Sequence, residues 1–97
     1  MFTNERFCTS GIAEEVSPIL QAVLWNLIDA MEVPRKDYLQ VFELSMYDGM
    51  QKIVHSQEEP EYRKEYYIKL CDTSMHIGKI FVIDDGDHST MLKADEY

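Results

Sequence analysis

Asp84, Asp85, Asp87 and His88 fall within five consecutive positions and are the densest group of chemically capable side chains in this sequence. Carboxylates and an imidazole on one short turn could hold a divalent cation, and a bound cation could activate water for hydrolysis. Asp84-Asp85-Gly86-Asp87 also has the composition of a plain tight turn, in which Asp accepts hydrogen bonds from its own backbone. An EF-hand loop would alternate its carboxylates and place a Glu further on, and that spacing is absent. Asp87, His88 and Ser89 are adjacent, but triads are assembled by fold geometry and not by adjacency. Both readings of the turn stay open, and only the first makes these four residues metal ligands.

The rest of the chain offers no enzyme motif. It has no Gly-rich phosphate loop, GxSxG, HExxH or zinc-type Cys/His spacing, and no cofactor motif can be read in it. His55, His76 and His88 sit in separate segments, and Cys8 and Cys71 form no CxxC pair. They read as two free thiols in a reducing compartment. Nine Lys and Arg stand against 18 Asp and Glu, a formal net charge of −9. That balance argues against direct nucleic-acid binding through phosphates and against docking on anionic membranes. The acidic run Gln57-Glu58-Glu59-Pro60-Glu61 is either a solvated turn or a docking surface for a basic protein. In the second case the chain could act as an acidic decoy for a nucleic-acid-binding protein.

Residues 6–10 read as a first strand ended by Gly11. Ser17 followed by Pro18 opens a helix, because the Ser oxygen can cap a free amide and Pro suits the first helical position. Pro34 limits that helix to about Met31. At 100° per residue, Val16, Ile19, Leu20, Val23, Leu24, Leu27, Ile28, Ala30 and Met31 share one half of the cylinder. Trp25 falls on the other half, near Gln21 and Asp29. There it is either a long side chain lying flat on its own helix or an anchor for another chain, since Trp is enriched at interface centres.

Residues 38–47 alternate as a strand, Asp48-Gly49 is a type I′ hairpin signal, and residues 50–57 return. The turn sets Tyr47 opposite Met50, Leu44 opposite Ile53, Phe42 opposite His55, and Lys52 opposite Ser45 with Glu43 diagonal to it. His55 is thereby placed on the core side. Residues 61–70 form another strand, with Tyr62 and Tyr66 on one face and Tyr67 on the charged one. Residues 71–78 connect to a strand at 79–84, where Ile80, Phe81, Val82 and Ile83 are apolar without interruption. Such a run belongs to a strand covered on both faces. Residues 89–92 pair back as a last strand, with a short helix starting at Asp87 as the alternative.

These elements make one α+β domain over residues 1–97, a mostly antiparallel sheet of five or six strands packed on one main amphipathic helix. The charged first fifteen residues leave no signal-peptide core, and the longest uncharged stretch, 13 residues, is too short to span a bilayer, so a cytoplasmic location is expected. One helix covers one face of a sheet, yet Phe81 and Ile83 emerge opposite Ile80 and Val82. The leading expectation is therefore a non-enzymatic interaction or regulatory module, a homodimer joined through Phe81 and Ile83, with Trp25 and Tyr67 as further contacts. A small cation-assisted hydrolase using Asp84, Asp85, Asp87 and His88 is the alternative.

Several strings appear together: DYLQVFEL at residues 37–44, QEEPEYRKEYY at 57–67 and IFVIDDGDHSTML at 80–92, with FTNERF near the start and ADEY at the end. In them the chain resembles a staphylococcal-type family of small Gram-positive proteins, domain of unknown function 960. The resemblance implies a bacterial cytoplasmic protein of this length, and it brings no activity, cofactor or catalytic residue to any position.

Overall fold

A computed structural model describes all 97 residues. Strand β1 (Glu5–Cys8) leads into helix α1 (Ser10–Glu15), and helix α2 (Pro18–Asp29) follows directly. Strands β2 (Leu39–Tyr47), β3 (Met50–Gln57) and β4 (Tyr62–Ile68) come next, then β5 (Gly78–Asp84) and β6 (His88–Lys93). Single 3-10 turns lie at Asp72–Ser74 and Ala94–Glu96.

The caps explain the helix starts. Ser17 Oγ accepts from Leu20 N, and Pro18 occupies the first turn of α2. Thr9 Oγ1 does the same for Ile12 N and opens α1. Helix α1 was not expected from the sequence, which placed residues up to Ser10 in the first strand and used Gly11 as its end. With only Ile12 and the following Val16 buried, its six residues are too few to show a helical period.

All six strands form one sheet in the order β1-β6-β5-β2-β3-β4. Four pairings are antiparallel, and β1 lies parallel to β6, so the sheet is mixed. The β2–β3 hairpin keeps the expected register at Tyr47–Met50, Leu44–Ile53, Phe42–His55 and Ser45–Lys52. Its turn needs the left-handed φ of Asp48 (53°) and Gly49 (75°). Lys52 does not pair with Glu43 as expected. It reaches Glu65 on β4 at 3.8 Å, while Glu43 meets Lys79 on β5 at 3.7 Å, because β2 sits between β3 and β5 and both neighbours offer partners. The last segment is strand, not helix, and β6 pairs with both β1 and β5.

Phe42, Leu44, Ile53, Ile80, Val82 and Met91 point to the inner face and close on Ile12, Val16, Leu20, Leu24 and Ile28 from the helices, with Phe2 completing the cluster. Ile19 is exposed, so the buried stripe of α2 is narrower than its apolar half-cylinder. Trp25 corrects the helical-wheel reading. It is half-buried and packs against the core, and the Arg6 guanidinium lies 4.6 Å over its ring centroid. The indole is long enough to reach the core from the flank of the helix, and Arg6 from β1 covers its outer side.

Candidate functional site

Both helices contribute to the inner core, so the outer face of the sheet has only the chain's own short segments to cover it. Strand register places Phe7, Thr90, Ile83 and Leu39 in one row across β1, β6, β5 and β2. The next row holds Leu92, Phe81 and Val41. The result is a continuous apolar surface over four neighbouring strands. Leu92 is buried there, Phe81, Ile83, Leu39 and Val41 are half-buried, and Phe7 is 49% exposed.

Part of the cover is local. The ring of Tyr97, carried round by the C-terminal turn, meets Phe81 edge-on at 5.4 Å between centroids, and Phe7 meets His88 in the same way at 5.4 Å. Tyr97 itself remains 74% exposed, so it shields one side of Phe81 without enclosing the surface. Outward charges balance: Lys52, Arg63 and Lys79 stand against Glu5, Glu43 and Glu65. The net acidity of the chain therefore lies elsewhere, in the helices, the turns and the C-terminal segment. Glu58, Glu59 and Glu61 are exposed at the β3–β4 turn.

The predicted contact residues divide. Phe81 and Ile83 share the outer surface, and Tyr67 shares the face but not the patch, since β2 and β3 stand between β4 and β5. Tyr67 instead packs edge-on against Tyr47 at 5.6 Å and donates to Glu65 Oε1 at 3.1 Å. Trp25 is on the helical side and belongs to the core margin. Phe7, Leu39, Val41, Leu92 and Tyr97 went unrecognised in the sequence. Their signal was cross-strand adjacency, which depends on strand order.

The acidic turn does not converge. Asp84 faces inward and is 8% exposed, accepting from Phe2 N at 2.7 Å, Asn4 Nδ2 at 2.9 Å and Gly86 N at 2.8 Å. Burial opposes its ionisation, yet these donors prevail and hold its carboxyl below the usual range. Asp85 Oδ1 accepts from Asp87 N and His88 N, both at 3.1 Å, and Asp85 Oδ2 lies 3.2 Å from His88 Nε2. Asp87 is exposed. No three of these groups, nor any other His, Cys, Asp or Glu, gather as metal ligands. The turn is an anchor: alternation along β5 sends Asp84 to one face and leaves Asp85 and His88 on the other.

A polar ladder crosses the inner face. His55, fully buried, lies flat on Phe42 with centroids 4.4 Å apart, and Tyr62 meets its ring edge at 5.3 Å. Its Nε2 is 2.7 Å from Gln40 Oε1. The amide nitrogen of Gln40 is committed to Gln57 Oε1 and Asp37 O, so the network assigns the proton to Nε2. Nδ1 has no partner. Burial pushes the His55 pKa down to about 4. Gln51, also fully buried, bonds Ser45 O, Lys52 O, His76 O and His76 N, which ties the β4–β5 connection to the sheet.

An α+β layer fold is thus defined, with one mixed six-stranded sheet, helices on one side and an uncapped apolar surface on the other. No helix is long and apolar enough to cross a membrane. The chain belongs to the family described as staphylococcal protein of unknown function (DUF960), whose model matches residues 5–96. It is also similar to a crystal structure of a protein of unknown function from Enterococcus faecalis. That likeness has a TM-score of 0.84 and 24% identity over 97% of this chain and 91% of the other, and it shows the fold. No curated protein matches the chain.

Proposed function

We propose that this protein is a non-enzymatic interaction module that associates with a second copy of itself through the outer face of the sheet. The observation that carries this reading is the apolar surface made by Phe7, Leu39, Val41, Phe81 and Ile83 opposite the helical layer. Burying one such side chain fully stabilises by roughly 1.5–3 kcal/mol, and several half-wet ones weigh heavily in a domain of about 5–15 kcal/mol. Two further points favour a second copy. Strand spacing and rise give the whole six-stranded outer face roughly 650 Å² in plan, near the roughly 800 Å² per partner of a standard interface, with the apolar rows at one end and the paired charges on the rest. The balanced outward charges let two chains of net charge −9 meet here with their acidic surfaces turned away.

Sedimentation equilibrium at micromolar concentration tests the reading. Wild type is expected at twice its 11.4 kDa. Ile83→Glu, which places a charge in the middle of the surface, is expected to sediment as a folded monomer. A strictly monomeric wild type, or an Ile83→Glu variant that dimerises like wild type, overturns it.

A further inference from the structure

In a chain with 18 carboxylates and nine cations, a cation without a carboxylate partner calls for an account. Arg6, Lys52, Arg63, Lys79 and Lys93 all form ion pairs. Lys64 and Lys69 stand on or just beyond the edge strand β4. Arg35 and Lys36 instead line one open cavity of about 470 Å³, together with Met1, Thr3, Val33 and Pro34, and neither side chain makes an ion pair or hydrogen bond.

Both walls of this cavity are fixed from inside the fold. Buried Gln57 accepts from Asp37 N at 2.8 Å and donates to Arg35 O at 3.2 Å and to Pro60 O at 2.8 Å. The loop carrying Arg35 and Lys36 is therefore held in place against β3. Across the opening, Phe2 is fully buried and its N–H is bonded to Asp84, which sets Thr3 in position. Of the nearby carboxylates, two accept from other donors, although Asp29 also feels the Lys36 charge and Glu32 is exposed without a partner. Asp37 Oδ2 accepts from Glu59 N at 3.1 Å, and both oxygens of Asp29 accept from Arg6.

The geometry points to a binding site for an aryl phosphate monoester, its dianion between Arg35 and Lys36 and its ring against Val33, Pro34 and Met1. Two adjacent cations match the two charges of a phosphate monoester near neutral pH. A guanidinium offers a planar fork of donors and an ammonium a compact charge, and Thr3 supplies a hydroxyl donor. The apolar part of the lining would be wasted on a bare ion. The site does not rest on the association proposed for the sheet.

The test is an amide-shift titration of the full ¹⁵N-labelled chain with phenyl phosphate, inorganic phosphate and benzoate. Phenyl phosphate is expected to give saturable shifts at Thr3, Arg35 and Lys36, with inorganic phosphate and benzoate each at least about tenfold weaker. Arg35→Ala and Lys36→Ala are each expected to weaken binding about tenfold or more while the remaining spectrum stays native, since both side chains are on the surface. A phosphotyrosine peptide binding at the same amides more tightly than phenyl phosphate assigns the ligand to a protein, and weaker peptide binding assigns it to a free metabolite. Absence of saturation in the millimolar range, equal binding of benzoate, or a double variant that binds as wild type does would each overturn the proposal.

Discussion

His55 makes the stability of this domain depend on pH in a window that opens above the carboxylate range. Its imidazole is fully buried between Phe42 and Tyr62, with one nitrogen bonded to Gln40 and the other unpartnered. The folded pKa is about 4 against 6.5 for the free side chain, because burial penalises the charged form. The folded ring is neutral, so as pH falls the unfolded chain takes up the proton first. The stability contribution is complete above 6.5, declines between 6.5 and about 4, and changes no further below that. A gap of this size corresponds to about 3 kcal/mol, of which about 2 kcal/mol is gone by about pH 5. Urea unfolding followed by Trp25 fluorescence reads this as a midpoint lower by about 1 M at about pH 5 than at neutrality. His55→Gln keeps a donor for Gln40 and removes the titration. Its stability is lower at neutral pH through lost stacking on Phe42, but its decline over this window should be smaller by about 3 kcal/mol. Parallel decline of wild type and variant between pH 6.5 and 4 would refute the assignment.

Two further outcomes follow from named contacts. Asp84→Asn puts an amide in place of an acceptor that serves Phe2 N, Asn4 Nδ2 and Gly86 N, and should cost about 2–3 kcal/mol in urea unfolding at neutral pH. Since the Asp84 carboxyl is held below 3.8, its contribution in wild type is present above that pH and lost as pH falls through the folded value, below the window of His55. Arg6→Ala removes the cation over Trp25 and the bonds to Phe2 O and Asp29, and should cost about 1–2 kcal/mol. Because Trp25 is the one tryptophan, its emission should also shift to the red, and unchanged emission would place the indole outside the reach of Arg6.

The legible parts of this protein are those governed by neighbours in sequence. Asp48-Gly49 set the hairpin register residue for residue, and Ser17-Pro18 set the start of α2. The unbroken run Ile80 to Ile83 announced that β5 would carry apolar side chains on both faces, as it does. Trp25 was misplaced because a helical wheel treats side chains as points on a cylinder. A long indole at the margin reaches the core, and the residue that covers it, Arg6, is remote in sequence. The acidic turn stayed open between two readings for a similar reason. Four ligand-type residues in five positions look like a cluster on paper, while strand alternation sends Asp84 inward to the N-terminal segment.

By itself, the sequence determined the α+β class, the main helix, the hairpin and the surplus of apolar β-surface, because propensity, capping and alternation act over a few residues. The tertiary structure alone decided that β1 lies parallel to β6, and so that Phe7 joins Ile83 and Leu39 in one row. It also decided that Asp84 anchors the N-terminal segment and that Arg35 and Lys36 share a cavity with Thr3. Each of these juxtaposes residues separated by about thirty to eighty positions, and such pairings are set by how layers close over a common core, a cooperative property that no local pattern encodes.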